Sequence, residues 1–242
     1  MVKVSKSEKR SGSPHSIILR ENAKLTTWGA IKVNNSHFFP SSFQLKAGNQ
    51  IVYIDPVEVE TSEKADFILI THSHPDHFSL KDINSLLKPE TKIICSKGVA
   101  KKLKTIKNEI HVVRPHDTLV FNGLRIDTMA AYNTKSVFLW IKAHPKSKEN
   151  VGFIITLEND LKIYHAGDTD SIPEMEKIGN INFALVPIGG DNLTMNVEEA
   201  AEIVNRIKPK IAIPMHYELN DSNDLKKFGE LVEDGIAVKS FR

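Results

Sequence analysis

Residues 71–78 read Thr71-His72-Ser73-His74-Pro75-Asp76-His77-Phe78, which places three imidazoles and a carboxylate close together. They follow the apolar run Phe67-Ile68-Leu69-Ile70, which has the length and composition of a buried strand. Neutral imidazole nitrogens and ionised carboxylates are the ligands that Zn²⁺ and similar divalent ions prefer. A histidine-rich surface loop is the alternative, since Pro75 and Asp76 are ordinary turn residues. The position directly after a strand favours a metal site.

Two distant segments offer partners for this loop. One is Tyr164-His165-Ala166-Gly167-Asp168-Thr169-Asp170, and the other is Ile213-Pro214-Met215-His216-Tyr217. In each, a potential ligand, Asp168 or His216, stands just beyond an apolar run, as the first histidines do. The three segments together predict one metal centre.

Composition narrows the class of protein. The 242 residues, 40% of them hydrophobic, suit one large domain, which we place at residues 16–242 after a disordered basic arm at residues 1–15. The net charge of +2, from 32 basic and 30 acidic residues, gives no overall field toward nucleic acid, so none is expected as a partner. No long apolar span and no secretory signal are present, so we expect a cytoplasmic protein without a transmembrane segment. Cys95 cannot form an internal disulfide and is expected to be a buried structural thiol.

Patterning along the chain predicts a mixture of strands and helices. The Asn122-Gly123 pair predicts a β-hairpin, because both residues accept positive φ. Helices are predicted at residues 99–106 and 197–208, the second capped by Asn196, and a closing strand at residues 236–241. The inward face of the second helix is predicted to comprise Val197, Ala200, Ala201, Val204 and Ile207.

The ordered set of motifs resembles the metallo-β-lactamase superfamily of metallohydrolases. It consists of His72-x-His74-x-Asp76-His77, Gly167-Asp168-Thr169 and Pro214-Met215-His216, with an early Ile54-Asp55-Pro56 element, and it spans the chain from about Leu25 onward. The resemblance implies an α+β fold, a four-layer αββα sandwich with two metals at the edge of its sheets. Residues 164–170 further resemble the branch that contains ascorbate-6-phosphate lactonase-like proteins and N-acylphosphatidylethanolamine phospholipase D.

The resemblance also implies a role for each ligand. His72 and His74 would hold the first metal, Asp76, His77 and His216 the second, and Asp168 would bridge both. The family's third histidine for the first metal is replaced here by Asn133, whose amide oxygen is a weak ligand for Zn²⁺. Either the first metal is held loosely or a nearby histidine substitutes, and we expect His144, in the long connection after Asn133, to be that ligand. His116 and His111 are weaker candidates, because His116 falls in a predicted turn and His111 at the start of a predicted strand.

The chemistry implied is that of a dinuclear metal-dependent hydrolase. Two divalent ions, Zn²⁺ first and Mn²⁺ or Fe as alternatives, would share a hydroxide that attacks an ester, lactone or phosphodiester bond in a small-molecule or lipid-type substrate. Asp76 and Asp168 would serve both as ligands and in catalysis. Asn133, Tyr217 and Lys146 are candidate hydrogen-bond donors to the substrate. The oligomeric state stays open.

Two other functions compete with this one. A nuclease of the same fold would ordinarily carry added basic surface, which this nearly neutral chain lacks. A non-catalytic metal-binding scaffold is suggested by Asn133, although potential ligands stand at six other positions of the motifs. A salt-sensitive RNA-binding assay separates the nuclease from the leading function, and metal analysis combined with hydrolysis assays separates the scaffold.

Overall fold

A computed structural model describes residues 14–33, 36–158, 160–219 and 222–241. The described chain forms two compact units. The first runs to residue 113 and includes residue 241, and the second covers residues 114–240. Most of the arm predicted at residues 1–15 lies outside the described residues, and His15 already belongs to a strand.

The first unit is built on a seven-stranded sheet in the order β1-β2-β5-β6-β7-β8-β9. Neighbours from β1 to β6 are antiparallel, and β6 to β9 are parallel. β3 and β4 form a separate antiparallel pair. The strands are β1 His15–Arg20, β2 Ala23–Thr27, β3 Ile31–Val33, β4 Ser36–Phe39, β5 Phe43–Ala47, β6 Gln50–Ile54, β7 Phe67–Ile70, β8 Lys92–Ser96 and β9 Ile110–Val113.

The core of the first unit surrounds β7, whose four residues are all buried. A continuously apolar strand is expected where a parallel sheet is covered on both faces. Helix α1 (Leu80–Leu86) begins at Ser79, whose side chain accepts from the Asp82 amide, and its Ile83 joins Ile68 and Ile70 in one buried cluster. β7 is thereby fixed, and the loop that leaves its carboxyl end starts from a rigid point.

The second unit repeats this plan with a sheet in the order β10-β11-β12-β13-β14-β15-β17. Its first four strands are antiparallel neighbours, and β13 to β17 are parallel. The strands of this sheet are β10 Thr118–Phe121, β11 Leu124–Ala130, β12 Val151–Leu157, β13 Lys162–His165, β14 Phe183–Pro187, β15 Ile211–Met215 and β17 Ala237–Val238. The two-residue strand β16 (Tyr217–Glu218) lies outside this sheet. Short 3-10 turns lie at Lys146–Lys148 and Pro173–Lys177.

Helix α3 (Val197–Ile207) confirms the predicted helix at residues 197–208. Asn196 and Glu199 form the full capping box, in which each side chain bonds the other's backbone amide. All five residues of the predicted inward face are buried. Helix α4 (Ser222–Leu231) follows later, and the Asn122-Gly123 hairpin is confirmed by the antiparallel pairing of β10 and β11.

Two predicted elements are shorter than expected. The helix predicted at 99–106 is wrong, because α2 covers only Lys97–Ala100. The residues after it form successive turns with bonds three residues apart, from Lys102 to Val99 and from Ile106 to Leu103. The strand predicted at 236–241 is limited to Ala237–Val238, because Phe241 leaves the sheet and stacks on Phe39 with 6.0 Å between ring centroids.

None of the helices in the described parts of the chain has both the length and the apolar character needed to cross a membrane.

Candidate metal centre

The histidine-rich loop of the first unit leaves the carboxyl end of β7 as a tight turn. The carbonyl oxygen of His74 accepts from the amides of His77 at 3.1 Å and Phe78 at 2.9 Å, so the chain reverses at Pro75-Asp76. The turn gathers the imidazoles: the His72 ring centroid lies 4.7 Å from that of His74 and 4.1 Å from that of His77. The three imidazoles of this loop are therefore neighbours in space as well as in sequence.

Asp55, which directly follows β6, orients this loop through hydrogen bonds to Thr71 and His77. It is fully buried, and its backbone has the unusual φ of +45°. Its carboxylate accepts from the Thr71 amide at 2.8 Å, the Thr71 hydroxyl at 2.6 Å and His77 Nδ1 at 2.7 Å. Since a carboxylate only accepts, His77 carries its proton on Nδ1 and offers the lone pair of Nε2 as a ligand.

Thr71 connects Asp55 to His72 and thereby fixes the tautomer of His72 as well. The Thr71 hydroxyl donates its hydrogen bond to Asp55. Its oxygen can therefore only accept a hydrogen bond from Nδ1 of His72, which lies 3.0 Å away. His72 is then also protonated on Nδ1, and its Nε2 has a lone pair. Both buried histidines of the loop are thus set in the tautomer that binds a cation.

The spacing of donor atoms in this loop suits a single ion. Nε2 of His77 lies 3.6 Å from Oδ2 of Asp76. Two ligand atoms at about 2.0–2.1 Å from a tetrahedral Zn²⁺ lie about 3.3 Å apart. Asp76 and His77 are therefore close to the separation at which they can share one cation.

The second unit gathers the remaining predicted ligands around Asp168. Asp168 follows β13 after Gly167, which has φ +65°, and His216 follows β15. Oδ2 of Asp168 lies 3.4 Å from Nε2 of His144 and 3.2 Å from Nε2 of His216. All three side chains are buried. The spacings again match the edges of a metal coordination shell.

Asn133 holds His144 in place. Its Nδ2 donates to the Asp170 carboxylate at 3.0 Å and to the Leu193 carbonyl at 2.9 Å. Its Oδ1 therefore faces His144 and accepts from Nδ1 at 2.8 Å and from the amide at 2.9 Å. This fixes the proton of His144 on Nδ1 and its lone pair on Nε2.

Asp170 anchors Asn133 in turn. One of its oxygens, Oδ2, accepts from the amides of Thr134 at 2.7 Å and Lys135 at 2.9 Å, and from the Thr134 hydroxyl at 2.9 Å. The buried series Asp170, Asn133 and His144 parallels Asp55, Thr71 and His72 in the first unit. A carboxylate at the base of each series aligns a histidine.

Gly189 makes room for His216. A Cβ at position 189 would lie 2.3 Å from the carbonyl oxygen of His216 and 3.3 Å from its Nδ1. His216 itself has φ +54°, a left-handed conformation that is costly for a residue with a side chain. The turn after β15 therefore depends on the missing side chain of Gly189.

The other candidates occupy less direct positions. Tyr217 is buried, whereas Lys146 donates to Glu174 Oε1 at 2.7 Å and lies over the Tyr132 ring at 4.6 Å. Lys146 has its pKa raised by that hydrogen bond to Glu174. His165 is buried in β13, where Nδ1 accepts from the Gly167 amide at 3.3 Å, and His111 lies 2.9 Å from Glu109.

Sequence reasoning missed the residues that orient the ligands. Asp55 was noted as part of a motif, but its bond to His77 joins positions 22 apart in the chain, and no periodicity reveals it. Asp170 and Gly189 were likewise not assigned roles. The available signals were the second carboxylate in Asp168-Thr169-Asp170 and the Gly189-Gly190 pair, which follows β14 after Ile188.

Comparison with known proteins places the fold and the family. A family model described as a β-lactamase superfamily domain matches residues 37–216. A UPF0173 metal-dependent hydrolase of Nanoarchaeum equitans is 34% identical over 180 residues, which cover 73% of this chain and 80% of the relative.

Solved structures agree with this. The crystal structure of a candidate metal-dependent hydrolase from Parabacteroides distasonis has a TM-score of 0.76 at 31% identity, over 95% of this chain and 98% of that one. The metallo-β-lactamase fold protein YhfI from Bacillus subtilis has a TM-score of 0.68 at 14% identity, over 91% and 96% of the two chains, and shows the shared fold.

The α+β architecture with two large sheets is thus of the metallo-β-lactamase type, as the sequence motifs predicted. The chain belongs to the β-lactamase superfamily, among its UPF0173 metal-dependent hydrolases. The finer branch suggested by residues 164–170 stays a prediction.

Proposed function

We propose that the chain is a dinuclear metallohydrolase that cleaves an ester, lactone or phosphodiester bond in a small-molecule or lipid-type substrate. The observation that carries this proposal is the donor set around Asp168, one of whose oxygens lies within 3.4 Å of two histidine Nε2 atoms. A single carboxylate oxygen between two imidazole nitrogens is the arrangement expected of a carboxylate that serves cations on both sides.

We assign the predicted ligands to two ions that share Asp168, as the resemblance to the superfamily implies. The first ion would be held by His72, His74, His144 and Asp168, and the second by Asp76, His77, Asp168 and His216. Zn²⁺ is the first candidate, because imidazole nitrogen and carboxylate oxygen are its usual ligands, and Mn²⁺ or Fe also accept such a set. When bound, two such cations supply Lewis-acid chemistry, acidifying water and stabilising negative charge on the substrate oxygen.

The protein's own residues supply orientation. Asp55, through Thr71, and Asp170, through Asn133, keep protons on the Nδ1 atoms of His72 and His144, so that Nε2 of each remains a donor to a cation. We accordingly assign Asn133 to positioning His144 rather than to binding metal. Tyr217, directly after His216, stays a candidate donor to the substrate.

A reconstitution experiment tests the activity. Purified protein, stripped of metal and reloaded with Zn²⁺, Mn²⁺ or Fe²⁺, would be assayed on an aryl ester, a lactone and bis-p-nitrophenyl phosphate. We expect turnover of at least one substrate, lost on chelation and in His216→Ala, and retained in His111→Ala as a control for a histidine outside both groups. A protein that binds two ions and turns over none of the three substrates would support the scaffold function and contradict this proposal.

A further inference from the structure

The connection from Asn133 to His144 carries a run of exposed apolar residues at 137–141, here named the apolar loop. Its side chains are exposed to the following extents: Val137 40%, Phe138 66%, Leu139 64%, Trp140 83% and Ile141 58%. Other large exposed hydrophobic side chains among the described residues, such as Ile18 and Val120, stand singly. Single exposed apolar residues are ordinary, whereas a contiguous group usually marks a binding surface.

The apolar loop is an ordered turn. The amide of Val137 donates to the Ile141 carbonyl at 2.9 Å, the Ile141 amide donates to Phe138 at 2.8 Å, and Phe138 and Ile141 form an antiparallel bridge. Leu139, at the tip, has φ +48°. A left-handed conformation costs a leucine about 1 kcal/mol or more, so the chain holds these side chains outward at an energetic cost.

The base of the apolar loop is formed by the proposed ligand His144 and by Asn133, which positions it. The Asn133 amide donates to the His144 carbonyl at 2.8 Å, and the His144 amide donates to Oδ1 of Asn133 at 2.9 Å. The loop is therefore joined at both ends to residues of the proposed centre.

The charged residues of the connection that carries the apolar loop are all lysines. Residues 134–148 contain Lys135, Lys142, Lys146 and Lys148 and no acidic residue. Lys135 and Lys146 pair with Glu199 and Glu174. Within the described parts of the chain, neither Lys142 nor Lys148 has an ion pair. An aromatic, aliphatic tip beside uncompensated lysines has the composition of a segment that enters the headgroup region of a membrane.

We propose that the apolar loop docks the protein on an anionic lipid surface, with Phe138 and Trp140 entering the headgroup layer and Lys142 and Lys148 contacting lipid phosphates. A second copy of the chain fits less well, because lysine-flanked loops facing each other would repel. Docking would bring His144 and its neighbours near the lipid surface.

Vesicle binding tests this directly. Protein would be sedimented with vesicles of phosphatidylcholine alone or containing about a third phosphatidylglycerol, at about 0.1 M and 0.5 M salt. We expect binding only to the anionic vesicles, weakened by salt, with a blue shift of tryptophan emission. That shift should be absent in Trp140→Ser, because the other tryptophan, Trp28, is already buried.

Matched variants separate the contributions. Phe138→Ser/Trp140→Ser should weaken vesicle binding about a hundredfold, and Lys142→Gln/Lys148→Gln about tenfold. Val120→Thr, which changes an apolar residue 70% exposed on β10, should bind as the wild type does. Circular dichroism and metal content of each variant would confirm folding.

Two results would overturn the proposal. One is equal binding, or equal lack of binding, by the wild type and the Phe138→Ser/Trp140→Ser variant. The other is a dimer in sedimentation velocity that dissociates in that variant, which would make the apolar loop an interface between copies. Because vesicle binding is measured equally well on metal-free protein, its failure is distinct from failure of the proposed hydrolysis.

Discussion

Asn133 stands where the superfamily pattern has a histidine, and the structure gives this substitution a physical purpose. Its amide oxygen accepts a hydrogen bond from Nδ1 of His144, and its amide nitrogen donates to Asp170. The type of each potential ligand could be predicted from the sequence, because imidazole and carboxylate side chains are recognisable wherever they stand. Their orienting partners could not, since Asn133 and Asp170 are 37 positions apart and meet only in the folded chain.

Removal of the Asn133 amide should weaken metal binding without removing a ligand. In Asn133→Ala, His144 loses the bond that fixes its tautomer, and we expect metal affinity to fall about ten- to hundredfold. Titration with a chromophoric chelator measures this. Asn205→Ala is the control, because Asn205 makes two hydrogen bonds, to Leu231 and Glu233, outside the proposed centre. Equal affinity in the two variants would refute the positioning role of Asn133.

Gly189 provides a steric test at the same scale. Gly189→Ala places a methyl group 2.3 Å from the His216 carbonyl oxygen. By comparison with overpacked and strained sites, we expect the free energy of unfolding to fall by about 2–4 kcal/mol. Gly229→Ala, in α4 with no atom within 4 Å of the added Cβ, should instead stabilise by about 0.5–1 kcal/mol. Urea denaturation compares them, and similar effects of both changes would contradict the close approach of Gly189 and His216.

At the scale of elements, prediction succeeded where local signals agreed with packing. α3 has a capping box, an apolar face at helical spacing and a following Lys208 in the left-handed conformation, and all three act on the same eleven residues. The helix predicted at residues 99–106 had the apolar spacing but no cap, and its lysines do not favour burial. Val99 and Leu103 are nevertheless buried, because the successive turns of this segment place both side chains in the core.

The capping box of α3 makes an element-scale prediction. Asn196→Ala removes the acceptor of the Glu199 amide and should lower the free energy of unfolding by about 1 kcal/mol. Asn196→Asp, which keeps the acceptor and adds a favourable charge at a helix N-terminus, should stay near the wild-type value. Thermal denaturation followed by circular dichroism measures both. Loss of stability in Asn196→Asp equal to that in Asn196→Ala would show that the cap is not the source.

At the scale of the whole molecule, Cys95 reports on unfolding. Burial in β8 raises its pKa to about 12, so at pH 8 the thiol is both inaccessible and protonated. We expect a thiol reagent to label native protein only at the rate at which the chain opens, with labelling complete at once in concentrated urea. Rapid stoichiometric labelling of the native protein would contradict the buried position of β8.

The fold of the whole molecule was predictable because a few motifs at strand ends identify the superfamily. The hydrogen-bonded series that orient the ligands were not, because their members have no fixed spacing in the sequence. The six ligands of these motifs, with His144 as a seventh, are predicted to bind two cations together, with Asp168 common to both.

Metal counting by mass spectrometry tests that prediction most directly. Wild-type protein reconstituted with Zn²⁺ should hold two ions per chain, and Asp168→Asn should lose both or retain one loosely. Asp160→Asn, which alters an exposed carboxylate of the same unit, should keep two. Two tightly held ions in Asp168→Asn, or none in the wild type, would contradict a dinuclear centre organised around Asp168.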